Sequence, residues 1–276
     1  MYFEIANITV PFWLPPVVGF VISFFTSMVG VSGAFLLLPF QMSVLGYVSP
    51  SVSGTNLVYN LAAIPGGVIR YVSEKRMDWL LAMIIASGTL PGLAVGWWLR
   101  IHWLLDPRAF KLFVGLVLLG LAIRLLLNKS VPAPNVTDST ILTHRLTAIF
   151  ATSLVIGIIG GAYGIGGGSI MAPVLIALFR LPVHGIAGAA LFGTFASSVV
   201  GVALYQFIPG PAGIETRPDF ALGLLFGIGG FVGMYAGARM QQYIRQLALE
   251  LGIAMVLALL AGGYIAGSMV AIYQTQ

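Results

Sequence analysis

The stretch that decides the fold is Gly160 to Pro173, which reads GGAYGIGGGSIMAP and lies inside an apolar run from about Leu146 to Leu181. The three consecutive glycines at 166–168 hold a helix poorly, because each costs about 1 kcal/mol relative to alanine. Inside a bilayer, non-helical backbone is tolerated only where it is buried in protein or lines a water-filled cavity. The stretch therefore predicts a helix that is broken within the membrane for a functional reason.

A matching stretch lies in the first half of the chain, at residues 28–39, which read MVGVSGAFLLLP. The two halves align without a gap when 134 is added to the residue number, and after a seven-residue insertion the offset becomes 141. The aligned identities include Gly30 with Gly164, Gly33 with Gly167, Pro39 with Pro173, Gly54 with Gly188, and Tyr71 with Tyr205. The alignment predicts two four-element repeats, at about 12–128 and about 144–272, joined by a linker at 128–143.

Composition places the chain in a lipid bilayer. Of its 276 residues, 59% are hydrophobic and 8% are charged, whereas a soluble domain carries about 25% charged residues. We therefore expect an all-α polytopic membrane protein in which the whole chain, 1–276, forms a single transmembrane domain. The net charge of +5 lies at span ends, which indicates membrane topology and not nucleic-acid binding. The absence of cysteine excludes disulfides and thiolate metal sites, and the first ten residues lack the basic region of a cleaved signal peptide.

Apolar segments long enough to span a bilayer follow one another along the chain. They run at about 12–47, 51–72, 79–99, 110–127, 146–181, 185–208, 220–241 and 247–272. Two of them are too long, because about 35 helical residues would cover about 52 Å and the hydrocarbon core is about 30 Å thick. Both overlong segments contain one of the glycine breaks.

The basic residues indicate how the overlong segments are threaded. If each crosses the membrane once, Lys and Arg divide 7 to 6 between the two sides; if each dips in and returns, they divide 9 to 4. The larger group contains Arg70, Lys75, Arg76, Arg124, Lys129, Arg145, Arg180, Arg239 and Arg245, and the smaller contains Arg100, Arg108, Lys111 and Arg217. Because cytoplasmic loops carry the excess of Lys and Arg, we predict inverted repeats, each with a re-entrant broken helix followed by three spanning helices, and both termini outside.

Each glycine break is a candidate anion site. A short helix is expected after each break, at about Ala34–Val44 and Ser169–Phe179. Unpaired N–H groups at a helix N-terminus attract an anion, so two facing N-termini near the midplane would enclose one without a buried lysine or arginine. The candidate residues at the breaks are Ser32, Gly33, Ala34, Gly166, Gly167, Gly168 and Ser169. The alternative is that the glycines serve only close helix packing.

Polar residues follow the breaks on the second element of each repeat. In SVSGTNLVYNL, residues 51–61, one helical stripe contains Ser53, Asn56 and Asn60, with Thr55 and Tyr59 beside it. The second repeat has polar residues in related places, namely Thr194, Ser197 and Ser198. These side chains either line a substrate path or form hydrogen bonds between helices, which are worth about 0.6–2 kcal/mol. The sequence leaves both interpretations open.

Two glycine ladders favour packing over chemistry. They are Gly88, Gly92 and Gly96 in the first repeat, and Gly229, Gly233 and Gly237 in the second. Small residues four apart allow helix backbones to approach closely.

Two functions other than transport are an intramembrane serine protease and a membrane scaffold without substrate. The sequence Gly30-Val-Ser32-Gly33 has the G-x-S-G shape of an intramembrane serine protease nucleophile, which needs a histidine within hydrogen-bond reach. All three histidines lie at span ends, so we expect no enzyme. A membrane scaffold without substrate would not need two matched glycine breaks.

Carboxylates also lie at span ends and in loops, so a proton relay of the usual kind is not expected.

The paired motifs resemble the sulfite exporter TauE/SafE family, also called the toluene-sulfonate uptake permease family. The resemblance rests on GVSG at 30–33 with Pro39, on GIGGGS at 164–169 with Pro173, and on SGTNL at 53–57 with GAALFGT at 188–194. It implies a multi-pass transporter, in the export direction, of sulfite, organosulfonates or related small anions across the bacterial cytoplasmic (inner) membrane. It implies no cofactor, and it leaves open whether the chain forms a homo-oligomer.

Overall fold

The structure, a computed structural model, describes residues 1–28, 30–127, 139–179, 181, 183–211, 214–244 and a few single positions between 248 and 263. A short antiparallel hairpin comes first, with β1 at Tyr2–Phe3 and β2 at Ile8–Thr9. The helices are α1 Leu14–Ser27, α2 Ala34–Ser43, α3 Ser51–Ser73, α4 Trp79–His102, α5 Pro107–Leu127, α6 Ser139–Tyr163, α7 Met171–Phe179, α8 Val183–Phe207 and α9 Phe220–Met240. The predicted span at 247–272 and the linker part at 128–138 lie outside the described residues, save single positions in the span.

The helical, multi-pass character expected from composition is confirmed. Among the described residues, four stretches are long and apolar enough to cross a membrane: Trp79–His102, Arg145–Tyr163, Gly185–Phe207 and Phe220–Tyr243. Helix α3 is of similar length, at 23 residues, but it carries the polar stripe. Large apolar side chains face outward, as Phe207 and Trp103 do, which suits a surface in contact with lipid.

Both overlong segments are broken where the glycines predict it. Gly30 and Gly164 have left-handed backbone, with φ of +71° and +81°. One residue further on, the N–H of Val31 reaches back to the carbonyl of Thr26 at 3.1 Å, and Ile165 repeats this bond in the second half. This pattern is a glycine-dependent helix stop. The short helices begin at Ala34 and at Met171, at the expected residue in the first repeat and two residues late in the second.

Helices α3 and α9 run side by side in the same direction. At their first turns, the N–H of Asp219 donates to Thr55 Oγ1 at 2.8 Å. At their far ends, Arg76 Nη2 donates to the carbonyl of Ala238 at 3.0 Å. The start of α3 and the start of α9 therefore lie at one end of the bundle.

Helices α3 and α8, the second elements of the two repeats, run in opposite directions. Near the start of α3, Gly54 lies against Tyr205, and near its end Tyr71 lies against Gly188. In between, Asn60 Nδ2 donates to Ser198 Oγ at 3.0 Å. Equivalent helices of the two repeats are thus antiparallel.

The two glycine ladders form the closest helix contacts, and the packing interpretation is confirmed. The ladder on α4 lies on α6, and the ladder on α9 lies on α1, so each repeat packs its third element on the broken helix of the other. A β-carbon on these glycines would overlap backbone carbonyl oxygens of the facing helix, which belong to Phe150, Leu154 and Ile158 on α6 and to Pro16, Phe20 and Phe24 on α1. The facing residues keep the 134 offset, so both interfaces follow the repeat.

The hairpin at the N-terminus was not predicted from the sequence. It is attached to the start of α9, because the N–H of Ala6 donates to Asp219 Oδ2 at 3.3 Å. The same carboxylate caps α9 through Oδ1, which accepts from the N–H of Leu222 at 3.0 Å. The N-terminal residues therefore lie at the same end of the bundle as the start of α3.

Candidate functional site

The two glycine breaks meet at the side chain of Asn56. Its Nδ2 donates to the carbonyl of Ala34, the first residue of α2, at 2.9 Å. The same nitrogen donates to the carbonyl of Gly164, at the second break, at 3.0 Å. One amide group on α3 therefore ties together the breaks of the two repeats.

Asn60, one turn further along α3, makes a second set of bonds across the same junction. Its Oδ1 accepts from the hydroxyl of Ser32. Its Nδ2 donates to the carbonyl of Ile165 at 2.8 Å and to Ser198 Oγ. Ser32 belongs to the first break and Ile165 to the second, so Asn60 also joins both repeats.

Backbone N–H groups at both breaks donate to hydroxyl oxygens. The N–H of Ala34 donates to Ser32 Oγ at 3.1 Å, and the N–H of Gly167 donates to Ser197 Oγ at 2.8 Å. The expectation of free N–H groups is therefore wrong at these two positions. The reason is that a buried donor without a partner costs free energy, and a nearby hydroxyl satisfies it.

Hydroxyls on α8 are themselves bonded to their own helix. Ser197 donates to the carbonyl of Thr194 at 3.0 Å, and Thr194 Oγ1 donates to the carbonyl of Ala190 at 2.9 Å. On the break, Ser169 Oγ donates to the carbonyl of Ile165. Each hydroxyl is therefore satisfied without a ligand.

The glycines of the second break are required by their surroundings. Gly166 has φ of +83°, and a β-carbon there would lie 2.8 Å from Ser198 Oγ. A β-carbon on Gly168 would lie 2.5 Å from the backbone nitrogen of Thr194. The backbone of the break therefore lies directly against the hydroxyl face of α8.

Tyr59 and Gly33 lie at the edge of the junction. The Tyr59 hydroxyl is hydrogen bonded to Ser23 Oγ on α1, and a β-carbon on Gly33 would overlap that hydroxyl. Tyr59 thus connects α3 to α1 and does not reach the second break through any bond described. The predicted site residues are all buried: Ser32, Gly33, Ala34, Asn56, Tyr59, Asn60, Gly166, Gly167, Gly168, Ser169, Thr194 and Ser197.

Gln41, on α2, was not predicted from the sequence. It is fully buried, its Nε2 lies 3.5 Å from Asn56 Oδ1, and its Oε1 has no hydrogen-bond partner within the part of the chain that the structure describes. The signal in the sequence was a single glutamine within the apolar run LLLPFQMSV at 36–44. Its equivalent in the second repeat is Leu175, so the repeat gave no support.

Arg100 was also missed, because it was counted with the charges that set topology. Only 1% of its surface is exposed. Its Nε donates to Ser53 Oγ at 3.3 Å, its Nη1 donates to the carbonyl of Leu104, and its guanidinium carbon lies 3.7 Å from the ring centroid of Phe110. A buried arginine therefore stands close to the second break, since Ser53 packs against Gly164.

The neighbours of Ser32 do not support a protease. Its hydroxyl donates to an amide oxygen, and amides are not bases at neutral pH. The Nδ1 of His102 lies 2.9 Å from the carbonyl of Trp98 on its own helix. The side chains of His144 and His184 lie outside the described residues.

Comparison with known families agrees with this architecture. A family model described as "Sulfite exporter TauE/SafE" matches residues 16–264, which include both breaks and both ladders. The chain belongs to this family. The chain is therefore a TauE/SafE-family membrane transporter that passes through the membrane several times.

Relatives of this TauE/SafE protein carry matching descriptions. The Bacillus subtilis protein described as "Probable membrane transporter protein YunE" is 24% identical over 205 residues, which cover 67% of this chain and 74% of that protein. A second protein from the same organism, YjnA, is 29% identical over 189 residues, covering 64% and 72%. A Xylella fastidiosa (strain 9a5c) membrane transporter protein is 28% identical over 181 residues, covering 64% and 68%. No solved structure matches the chain.

Proposed function

We propose that this transporter moves a small oxyanion of the sulfite or organosulfonate class across the cytoplasmic membrane, and that it binds the anion where the two breaks meet. The observation that carries the proposal is the amide of Asn56, which bonds to the carbonyls of Ala34 and Gly164 and so brings both breaks to one place. Each break is followed by the N-terminus of a short helix, and helix N-termini favour negative charge. The family description, sulfite exporter, supports the anion class and the outward direction.

The hydroxyl bonds at the breaks suggest how the anion is held. In the described conformation, Ser32 Oγ and Ser197 Oγ occupy the positions where an anion oxygen would accept from the N–H groups of Ala34 and Gly167. A hydroxyl both accepts and donates, so each serine can rotate and donate to the anion when the anion replaces it. Bonds to a charged acceptor are roughly twice as strong as neutral ones, which favours the exchange.

The junction of the breaks is neutral, and its N–H groups at Ala34 and Gly167 are paired with hydroxyls, which suits a transporter. A permanently charged side chain at the midplane would cost about 2.5–3.5 kcal/mol even on the most lenient scale. The breaks, in contrast, supply their donors without a fixed charge, since the hydroxyls satisfy the N–H groups when the anion leaves. Such a site holds an anion and also releases it.

The helix directions support inverted repeats with re-entrant broken helices. The chain leaves the hairpin, forms α1 and α2, and starts α3 at the same end of the bundle, where Ala6 and Thr55 both bond to Asp219. If α1 and α2 together crossed once, these residues would lie at opposite ends. The antiparallel directions of α3 and α8 are those expected when one repeat is inverted relative to the other.

Counterflow of labelled sulfite into proteoliposomes tests the proposal. Full-length protein should accumulate label in vesicles preloaded with unlabelled sulfite, and vesicles without protein should not. Ser197→Ala should raise the half-saturating sulfite concentration about tenfold, because a hydrogen bond to a charged group is worth about 1.5–3 kcal/mol. Ser153→Ala is the matched control, because Ser153 is equally buried on α6 and bonds only to the carbonyl of Ile149 and to Met171.

Two results would contradict the proposal. The first is the absence of counterflow of both sulfite and a small organosulfonate in vesicles that contain correctly folded protein; this result would favour a scaffold. The second is an equal effect of the Ser197 and Ser153 substitutions, which would place the anion elsewhere.

A further inference from the structure

Arg100 is a buried cation without a carboxylate partner among the described residues. The ion pairs in this part of the chain join Arg70 and Arg76 to Glu74, and Arg217 to Glu215. Arg100 instead has the hydroxyl of Ser53, a backbone carbonyl and the face of Phe110. An uncompensated charge at this depth is destabilising, so the fold retains it for a reason other than stability.

Two further polar atoms beside Arg100 lack partners. Nε1 of Trp97 and the hydroxyl of Tyr205 are buried and have no partner in good hydrogen-bond geometry within the described chain, and the hydroxyl lies beside Ser53. The rings of Tyr205 and Trp97 pack edge to face with centroids 6.4 Å apart, and Trp97 lies on the same face of α4 as Arg100, three residues earlier. The indole N–H donates only, and the tyrosine hydroxyl can donate, so the partner they lack is an acceptor.

The opposite end of the bundle provides an internal comparison. By the repeat offsets, Tyr71 corresponds to Tyr205 and Gln241 corresponds to Arg100. There the tyrosine hydroxyl donates to the carbonyl of Ser27 at 3.1 Å and to Gln241 Oε1 at 3.0 Å. The Tyr71 hydroxyl therefore has hydrogen-bond partners at one end of the bundle. The equivalent hydroxyl of Tyr205, at the end that carries Arg100, lacks one in good geometry.

The cluster of Arg100, Ser53, Trp97 and Tyr205 lies between the surface and the second break. A cavity of about 390 Å³ is lined by Tyr205 and by the α8–α9 connection, including Thr216 and Arg217. On the other side, Ser53 packs so closely on Gly164 that a β-carbon there would lie 2.6 Å from Ser53 Oγ. Tyr205 therefore connects the cluster to the cavity, and Ser53 connects it to the break.

We propose that Arg100, Ser53, Trp97 and Tyr205 form a second anion-binding site, for a small inorganic oxyanion, at one end of the route to the glycine breaks. This proposal depends on the proposed function in one respect: it takes the bound anion to be the transported substrate. Arg100 supplies the charge, and the Tyr205 hydroxyl and the indole N–H supply the two unused hydrogen bonds. At the opposite end, among the described residues, Arg70 and Arg76 are instead paired to Glu74.

Equilibrium binding of labelled sulfite to the purified full-length protein in lipid nanodiscs tests the inference. The wild type should bind two sulfite ions per chain. Arg100→Gln and Tyr205→Phe should each lose one, with at least a tenfold loss of affinity for Arg100→Gln. Arg100→Lys should retain partial binding, because it keeps the charge. Sulfite should also quench tryptophan fluorescence in the wild type, and the quenching should fall in Trp97→Phe.

Matched controls separate this site from folding effects and from the glycine breaks. Tyr71→Phe removes the equivalent hydroxyl at the other end and should leave two ions bound. Ser197→Ala should weaken the binding of the ion at the breaks about tenfold and leave the fluorescence quenching unchanged. If only the proposed function is wrong, the Ser197 substitution has no effect on binding and the effects of the Arg100 and Tyr205 substitutions remain. If Arg100→Gln does not fold, Tyr205→Phe and Trp97→Phe remain decisive. Unchanged stoichiometry and quenching in these two variants would overturn the inference.

Discussion

Asn60 has all of its polar atoms engaged between two repeats. It accepts from Ser32 and donates to Ile165 and Ser198, and none of these groups is reached by solvent. From the sequence, this amide could either line a substrate path or form hydrogen bonds between helices. The bonds show that it joins helices, so a leucine here leaves buried groups unpaired at a cost of about 1–3 kcal/mol each.

We therefore predict that Asn60→Leu lowers both the thermal stability and the sulfite affinity of the purified protein. Thr152→Ala is the control, because Thr152 is a half-buried residue on α6 whose hydroxyl bonds to the carbonyl of Ala148 on the same helix, and it should change neither. Thermal unfolding in detergent and sulfite binding on the same sample measure the two effects. A variant with wild-type melting temperature would show that the amide bonds do not hold the repeats together.

The contacts of single residues were the part of the site least predictable from the sequence. The polar stripe on α3 identified Asn56 and Asn60, because two asparagines inside a span stand out from apolar neighbours. Gln41 had no repeat partner, and Arg100 stood at a span end, where a charge normally faces water. Which hydroxyl satisfies which N–H depends on contacts between helices far apart in the chain, and no local pattern carries that information.

At the scale of helices, the glycine ladders hold α4 to α6 and α9 to α1 with backbones in contact. Gly92→Ala should destabilise the protein by about 2–5 kcal/mol, in the range of other severe packing defects, because its β-carbon would overlap the carbonyl of Leu154. Gly233→Ala should behave alike, since it meets Phe20 in the equivalent way. Gly120→Ala is the control, since its β-carbon meets nothing, and alanine should even favour the helix there.

Melting temperatures of the three variants in one detergent check this prediction. Similar melting temperatures for Gly92→Ala and Gly120→Ala would mean that the α4–α6 contact tolerates a wider spacing than the structure describes. The ladders and the broken helices were predictable from the sequence, because glycine allows close contact between helices in the ladders and interrupts the helix at the breaks. The N-terminal hairpin was not, since its two-residue strands depend on a contact with Asp219.

For the whole molecule, the proposed inverted topology makes a clear prediction. The chain has no cysteine, so single cysteines introduced at Lys75 and at Arg217 report their own side of the membrane. Re-entrant segments place these two positions on opposite sides, with residue 75 in the cytoplasm, whereas single crossings place them on the same side. Labelling of intact cells with a membrane-impermeant maleimide distinguishes the two, and labelling of both positions from outside would rule out the re-entrant arrangement.

Energy coupling is also a property of the whole molecule. No carboxylate is expected near the middle of a span, so we predict export driven by the membrane potential without a coupled proton. The potential contributes about 2.3 kcal/mol per charge per 100 mV, or between one and two decades of gradient for a monoanion. Sulfite flux in liposomes should follow a potassium potential set with valinomycin at equal pH. Flux that ignores the potential and follows an imposed pH gradient would exclude this uniport.

The central claim is that one anion is bound by both glycine breaks at once, and a double-mutant cycle tests it most directly. Equilibrium sulfite binding is measured for the wild type, Ser32→Ala, Ser197→Ala and the double variant. The two serines belong to different repeats, and each accepts a hydrogen bond from a backbone N–H group of a different break. Residues that share a partner give coupling energies of about 0.5–3 kcal/mol, whereas independent sites add. We predict coupling of at least about 1 kcal/mol. Additive effects, or binding that neither substitution weakens, would contradict the account.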